Sequence, residues 1–174
     1  MRTALIYGST TGNTQSAAEG VRDAYGAERI ETFADVGSLE PEQLKGYELL
    51  IIGIPTWNTG ELQEDWITMH ASLDGMDFSG TKVALFGLGD AAGYPENFID
   101  GVGMLYERFT DCGATGGLGF TSSDGYAYTE SLANLDGDVT KFCGLALDED
   151  NESDKSDDRV DAWVAQLHGE LGLE

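Results

Sequence analysis

The chain alternates short apolar runs with longer stretches of helical periodicity. Residues 3–7 (Thr-Ala-Leu-Ile-Tyr) form a continuous apolar strand that stops at a Gly/Thr-rich turn. A helix is expected from Asn13 or Thr14, with Ala17, Ala18, Val21 and Tyr25 on its inner face. Residues 29–33 read as a weaker edge strand, and residues 49–54 (Leu-Leu-Ile-Ile-Gly-Ile) as a central strand buried on both faces. Pro55 lacks an N–H and is expected to end that strand. Residues 62–73 read as helix and 82–87 as a second central strand. Residues 97–112 read as a helix turning Phe98, Val102, Leu105, Tyr106 and Phe109 inward. Such alternation builds a parallel sheet covered by helices on both faces.

The last third departs from this rhythm. Residues 116–121 and 142–147 each look like half a strand, separated by a polar Ser/Asp/Gly/Tyr stretch. The simplest account is one edge strand interrupted by a loop inserted at 122–141. An amphipathic helix closes the chain through Val160, Trp163, Val164, Leu167 and Leu171, with Asp157 and Asp158 suited to its N-terminal dipole. The expectation is one α/β domain over residues 1–174. Its core is a doubly wound five-stranded parallel sheet of order 2-1-3-4-5, with the fifth strand interrupted.

Charge narrows the partners. Nine Lys plus Arg stand against 32 Asp plus Glu, a formal charge of −23. Nucleic acid and anionic membrane surfaces are excluded as ligands, because both are held by cations. Hydrophobic residues make up 41%, so the acidity belongs to a folded surface rather than to disorder. No apolar run approaches the roughly 20 residues a bilayer span requires. The N-terminal stretch reads as too short for a secretory leader, so a cytoplasmic location is expected. Cys112 and Cys143 lie far apart and read as two buried thiols in a reducing compartment.

Three segments carry candidate chemistry. Gly8-Ser9-Thr10-Thr11-Gly12-Asn13-Thr14 joins the first strand to the first helix, where ligands sit in doubly wound sheets. A helix start offers unpaired N–H groups and partial positive charge, and four hydroxyls with Asn13 add donors, which together describe a phosphate cradle. An ordinary capped turn would need one hydroxyl. The Gly-Lys-Ser/Thr ending of a nucleotide triphosphatase is missing. The second segment, Pro55-Thr56-Trp57-Asn58-Thr59-Gly60, offers a stacking wall beside a flexible turn. The third, Leu88-Gly89-Asp90 with Tyr94 and Asn97, supplies a second loop aromatic and a carboxylate. His70 and His168 stand alone, and no catalytic triad, paired catalytic carboxylates or metal spacing is evident.

At these residues the sequence resembles the long-chain flavodoxins. The likeness is carried by Ser9-Thr10-Thr11-Gly12-Asn13-Thr14, Pro55-Thr56-Trp57-Asn58, Gly60-Glu61-Leu62, Gly89-Asp90, Gly93-Tyr94 and Asn97-Phe98, with the insertion and residues 144–151. The resemblance implies non-covalently bound FMN and low-potential one-electron transfer between semiquinone and hydroquinone. Carried over by position, residues 9–14 would hold the phosphate, while Trp57 and Tyr94 would sandwich the ring. The backbone of Asn58, Thr59 and Gly60 would face N5, and Leu88, Gly89 and Asp90 would meet the pyrimidine edge. Asn97 and Asp148 would lie near the ribityl chain. Asn13 stands where a basic residue is frequent, and Thr59 puts a β-branched residue in the turn expected to respond to reduction.

The resemblance further implies a monomer passing electrons to redox proteins with basic faces, such as a ferredoxin- or flavodoxin-NADP reductase or photosystem I. An FMN-dependent NAD(P)H:quinone oxidoreductase shares the fold, but would need a roomy ring face and cations for a nicotinamide. A phospho-acceptor receiver domain would need an acidic cluster where Gly8-Ser9 and Pro55-Thr56 stand.

Overall fold

A computed structural model describes residues 1–173. Five parallel strands make the main sheet: β1 (Thr3–Tyr7), β2 (Thr32–Asp35), β3 (Leu49–Trp57), β5 (Lys82–Leu88) and β8 (Leu145–Leu147). Their order is β2-β1-β3-β5-β8, the expected 2-1-3-4-5 winding, and β4 (Glu61–Leu62) folds back antiparallel on the end of β3.

Strand side chains alternate between two cores. Leu5, Tyr7, Leu49, Ile51, Ala84 and Phe86 face α1 (Asn13–Tyr25) and α5 (Ser156–Leu171), which contribute Ala18, Val21, Val160, Trp163 and Leu167. Ala4, Ile6, Leu50, Ile52, Val83 and Leu85 face α2 (Glu64–Ser72) and α3 (Asp100–Asp111), through Trp66, Met69, Val102, Leu105 and Phe109. Gly53 interrupts the first set for a packing reason. A Cβ there would lie 2.3 Å from the Phe86 ring, which crosses the neighbouring strand.

Several boundaries differ from the expected ones. The second strand covers Thr32–Asp35 rather than 29–33, because Arg29 closes a 3₁₀ turn and Thr32 is the first residue in register with β1. Pro55 does not end β3. It is the last residue paired with β5, opposite Leu88, after which Thr56 and Trp57 pair with β4. Leu62 therefore belongs to β4, and α2 starts at Glu64, capped by the Gln63 side chain on the Trp66 N–H. The third helix starts at Asp100 rather than 97, since Ile99 holds the left-handed φ of 47° that breaks the turn.

Residues 116–121 are not half a strand of the main sheet. Only Thr115 bridges there, opposite Lys82, and β8 takes up the same edge at Phe86–Leu88. Between them the chain leaves the edge and forms a hairpin of its own, β6 (Thr121–Ser122) against β7 (Lys141–Phe142). Aromatic contacts of Tyr126 and Tyr128 with Phe98 and Phe142, at 5.2–5.7 Å between centroids, seat this excursion against the segment leading into α3. Both cysteines are free and buried.

Candidate functional site

Four loops converge beyond the carboxyl ends of β1, β3, β5 and β8, around a cleft of about 430 Å³. The first is the β1–α1 turn. Gly8 N–H donates to the Gly53 carbonyl (3.1 Å), which locks the turn's start onto β3. Gly12 takes φ 94°, and α1 opens without a side-chain cap. Ser16 N–H is the first taken up inside the helix, by the Gly12 carbonyl (3.0 Å). The N–H groups of Asn13, Thr14 and Gln15 thus have no intrahelical acceptor and concentrate the positive end of the dipole. Thr11, Asn13 and Thr14 line the cleft. Ser9 turns its Oγ to the Gly12 N–H (3.0 Å), and Thr10 Oγ1 accepts from Gln63 Nε2 (3.3 Å).

The second loop is the turn between β3 and β4. Pro55, Thr56, Trp57 and Asn58 line the cleft, whereas Thr59 and Gly60 do not. Left-handed backbone falls on Asn58 (φ 45°) and Gly60 (φ 88°), while Thr59 stays outside that region. Asparagine tolerates this conformation and a β-branched threonine does not, so the side chains are distributed as the backbone demands. Thr56 Oγ1 accepts from Gly101 N–H (2.9 Å), and Asn58 Nδ2 donates to Glu61 Oε2 (3.2 Å).

The third loop follows β5 and brings Leu88, Gly89, Asp90 and Tyr94 to the cleft. Asp90 Oδ1 accepts from Gly93 N–H (2.8 Å) and Asn151 Nδ2 (2.9 Å), and these bonds, in that order, hold its pKa below the usual value. Tyr94 is 41% exposed, in a loop where Ala92, Gly93 and Glu96 are exposed as well. Asn97 points elsewhere, donating to Asp100 Oδ2 (3.1 Å).

The fourth loop begins at Asp148, which does not line the cleft either. It is 1% exposed, accepts from Ala91 N–H (3.2 Å), and caps α4 (Glu149–Glu152) through Asn151 N–H (3.1 Å). The two residues after it, Glu149 and Asp150, do reach the cleft; the family likeness covers them within residues 144–151 but assigns them no role. Oxygens of Asp90, Asp148 and Asp150 lie within 4.8 Å of one another. Burial first, then the charges of Asp90, Asp148 and Glu149, push the Asp150 pKa up. Among the described residues lining the cleft none is basic, so N–H groups, hydroxyls and the helix dipole supply its positive potential. Neither histidine lines it. His70 has its pKa lowered by burial and then by Arg108, and His168 donates to the Tyr25 carbonyl (3.1 Å).

Fold and site together define a doubly wound protein with an open helix start at one end of a cleft and two aromatics flanking the rest. The flavodoxin family model matches residues 5–163. A flavodoxin from Nostoc sp. (strain PCC 7120) is 49% identical over 169 residues, covering 97% of this chain and 96% of that protein. Flavodoxin 2 from Escherichia coli (strain K12) is 41% identical over 171 residues, 98% of this chain and 97% of that one. Among solved structures, a Fusobacterium nucleatum flavodoxin bound to flavin mononucleotide superposes with a TM-score of 0.88 at 31% identity, covering 98% of this chain and 99% of that chain. The chain belongs to the flavodoxin family.

Proposed function

We propose that this protein is a low-potential electron carrier that works through non-covalently bound FMN and performs no substrate chemistry of its own. The observation that carries the reading is the uncapped start of α1 at one end of a cleft bordered by Trp57 and the exposed Tyr94. The chain's groups fit that cofactor. The free N–H groups of residues 13–15 and the hydroxyls of Thr11 and Thr14 are donors suited to an acceptor-only phosphate. Trp57 and Tyr94 would flank the flat ring, and Asn58, Gly89 and Asp90 would meet its polar edge. When bound, FMN supplies one-electron redox chemistry, while the protein positions it, limits water and sets the surrounding charge.

That charge has a direction. Asp90, Glu149 and Asp150 line the cleft without a basic neighbour in the lining, which opposes any added negative charge and favours a low potential. An NAD(P)H-dependent oxidoreductase would require cations for its nicotinamide substrate at the same place. The −23 charge suits transient docking to redox proteins with basic faces, such as ferredoxin- or flavodoxin-NADP reductases, in the cytoplasm and as a monomer. Among the described residues no helix is long and apolar enough to cross a membrane. The test is titration of flavin-free protein with FMN, following flavin fluorescence and then stepwise reduction. Stoichiometric quenching with two separate one-electron steps is expected. A protein that leaves FMN fluorescence unchanged refutes the reading.

A further inference from the structure

Gln63 is a polar side chain with 1% exposure, set between the β1–α1 turn and the start of α2. Its amide is fully committed. Oε1 accepts from Trp66 N–H (3.3 Å), and Nε2 donates to Asp65 Oδ2 (2.8 Å) and to Thr10 Oγ1 (3.3 Å). The Trp66 N–H can only donate, so it fixes which end of the amide faces Thr10. The chain is also packed tightly here. A Cβ on Gly8 would lie 2.6 Å from both Gln63 Oε1 and Trp66 Cδ1, and Trp66 Nε1 donates to the Gly53 carbonyl (3.1 Å) that also receives Gly8 N–H.

A hydroxyl has one hydrogen to give and two lone pairs. With Gln63 occupying a lone pair of Thr10 Oγ1, the Thr10 hydrogen is left for another acceptor, and a hydroxyl that already accepts is the stronger donor. Ser9 is treated in the same way, since its Oγ accepts from Gly12 N–H (3.0 Å). We infer that Gln63 is a positioning residue that polarises Thr10 toward donation, so that the β1–α1 turn meets a phosphate with oriented hydroxyls instead of a cation. This rests on the phosphate reading of that turn. Thr10 is not itself among the residues lining the cleft, whose lining holds three carboxylates and no basic residue, so its oriented hydroxyl would add a donor from the turn beside Thr11.

The test compares FMN with riboflavin, which lacks the phosphate, in fluorescence titrations of flavin-free protein. Gln63→Met keeps length and apolar bulk but loses the amide. It should weaken FMN about 3- to 10-fold, the range for losing one hydrogen bond between uncharged groups, and leave riboflavin unchanged. Gln63→Glu offers Thr10 an acceptor in place of a donor and should weaken FMN further. Thr10→Val, on the exposed turn, removes the hydroxyl itself and should weaken FMN at least as much as Gln63→Met, and the double variant should lose no more than Thr10→Val alone. Equal loss of FMN and riboflavin affinity in Gln63→Met, an unchanged FMN-to-riboflavin ratio in Thr10→Val, or additive losses would each overturn the inference. If the unmodified protein binds riboflavin as tightly as FMN, the phosphate reading itself falls, and this inference with it.

Discussion

Two glycines on the site's loops share a backbone conformation but not an environment, which separates strain from crowding. Gly12 has φ 94° and open space for 4 Å around the point where a Cβ would stand. Gly60 has φ 88°, with Asp100 Oδ2 at 2.7 Å and Asn97 Nδ2 at 3.1 Å from the same point. Left-handed backbone costs an alanine about 1–2 kcal/mol at either site. At Gly60 the added methyl must also displace Asp100, a carboxylate only 4% exposed that accepts from Leu132 N–H (2.8 Å) and Asn97 Nδ2 (3.1 Å). Loosening a buried acceptor of that kind costs about a further 1–3 kcal/mol. Gly60→Ala should therefore destabilise flavin-free protein by about 2–5 kcal/mol, and Gly12→Ala by about 1–2 kcal/mol. Urea unfolding of both variants measures the difference directly. Equal losses would refute the claim that Asp100 and Asn97 confine this turn.

Trp57→Ala and Tyr94→Ala should each weaken FMN by the lost buried area plus about 0.5–1.5 kcal/mol of ring contact, read by fluorescence titration; a variant with unchanged affinity does not wall the ring. Asp150 is protonated more readily in the folded state than in the unfolded one, so its charge opposes folding above its raised pKa. Asp150→Asn should raise the melting temperature of flavin-free protein near pH 7, with the gain disappearing as pH falls below the carboxylate range; equal gains above and below that range would contradict this. Self-repulsion at a charge of −23 should make melting temperature climb from low to molar salt, and a flat response would show that the acidic surface is already relieved.

The winding of the sheet and both helical faces were legible because apolar runs and helical periodicity are local properties. Residues 49–54 and 82–87 announce buried strands whatever surrounds them. Boundaries set by a partner strand were not. Pro55 marks the point where β3 exchanges β5 for β4, and no proline rule distinguishes a change of partner from a stop. Asp148 carried a readable signal that points to capping, an Asp followed by acidic residues and Asn151 at a helix start. Glu149 and Asp150 matched the family only as part of residues 144–151, with no role attached, because only the tertiary position of β8 brings them to the β1–α1 turn. Gln63 looked like an ordinary helix residue, and its importance follows from contacts 53 positions away in sequence.

The broken edge beside β5 bears on how such a protein survives at high concentration. A long exposed strand margin invites another chain to add on. Here one margin is the four-residue β2, and the other is divided between a bridge at Thr115 and the three-residue β8, with the chain swinging outward between them. Neither margin offers a long ladder to a second molecule, the first because it is short and the second because it is divided. Together with the mutual repulsion of a −23 charge, two such short margins act against the addition of a second copy through the sheet edge.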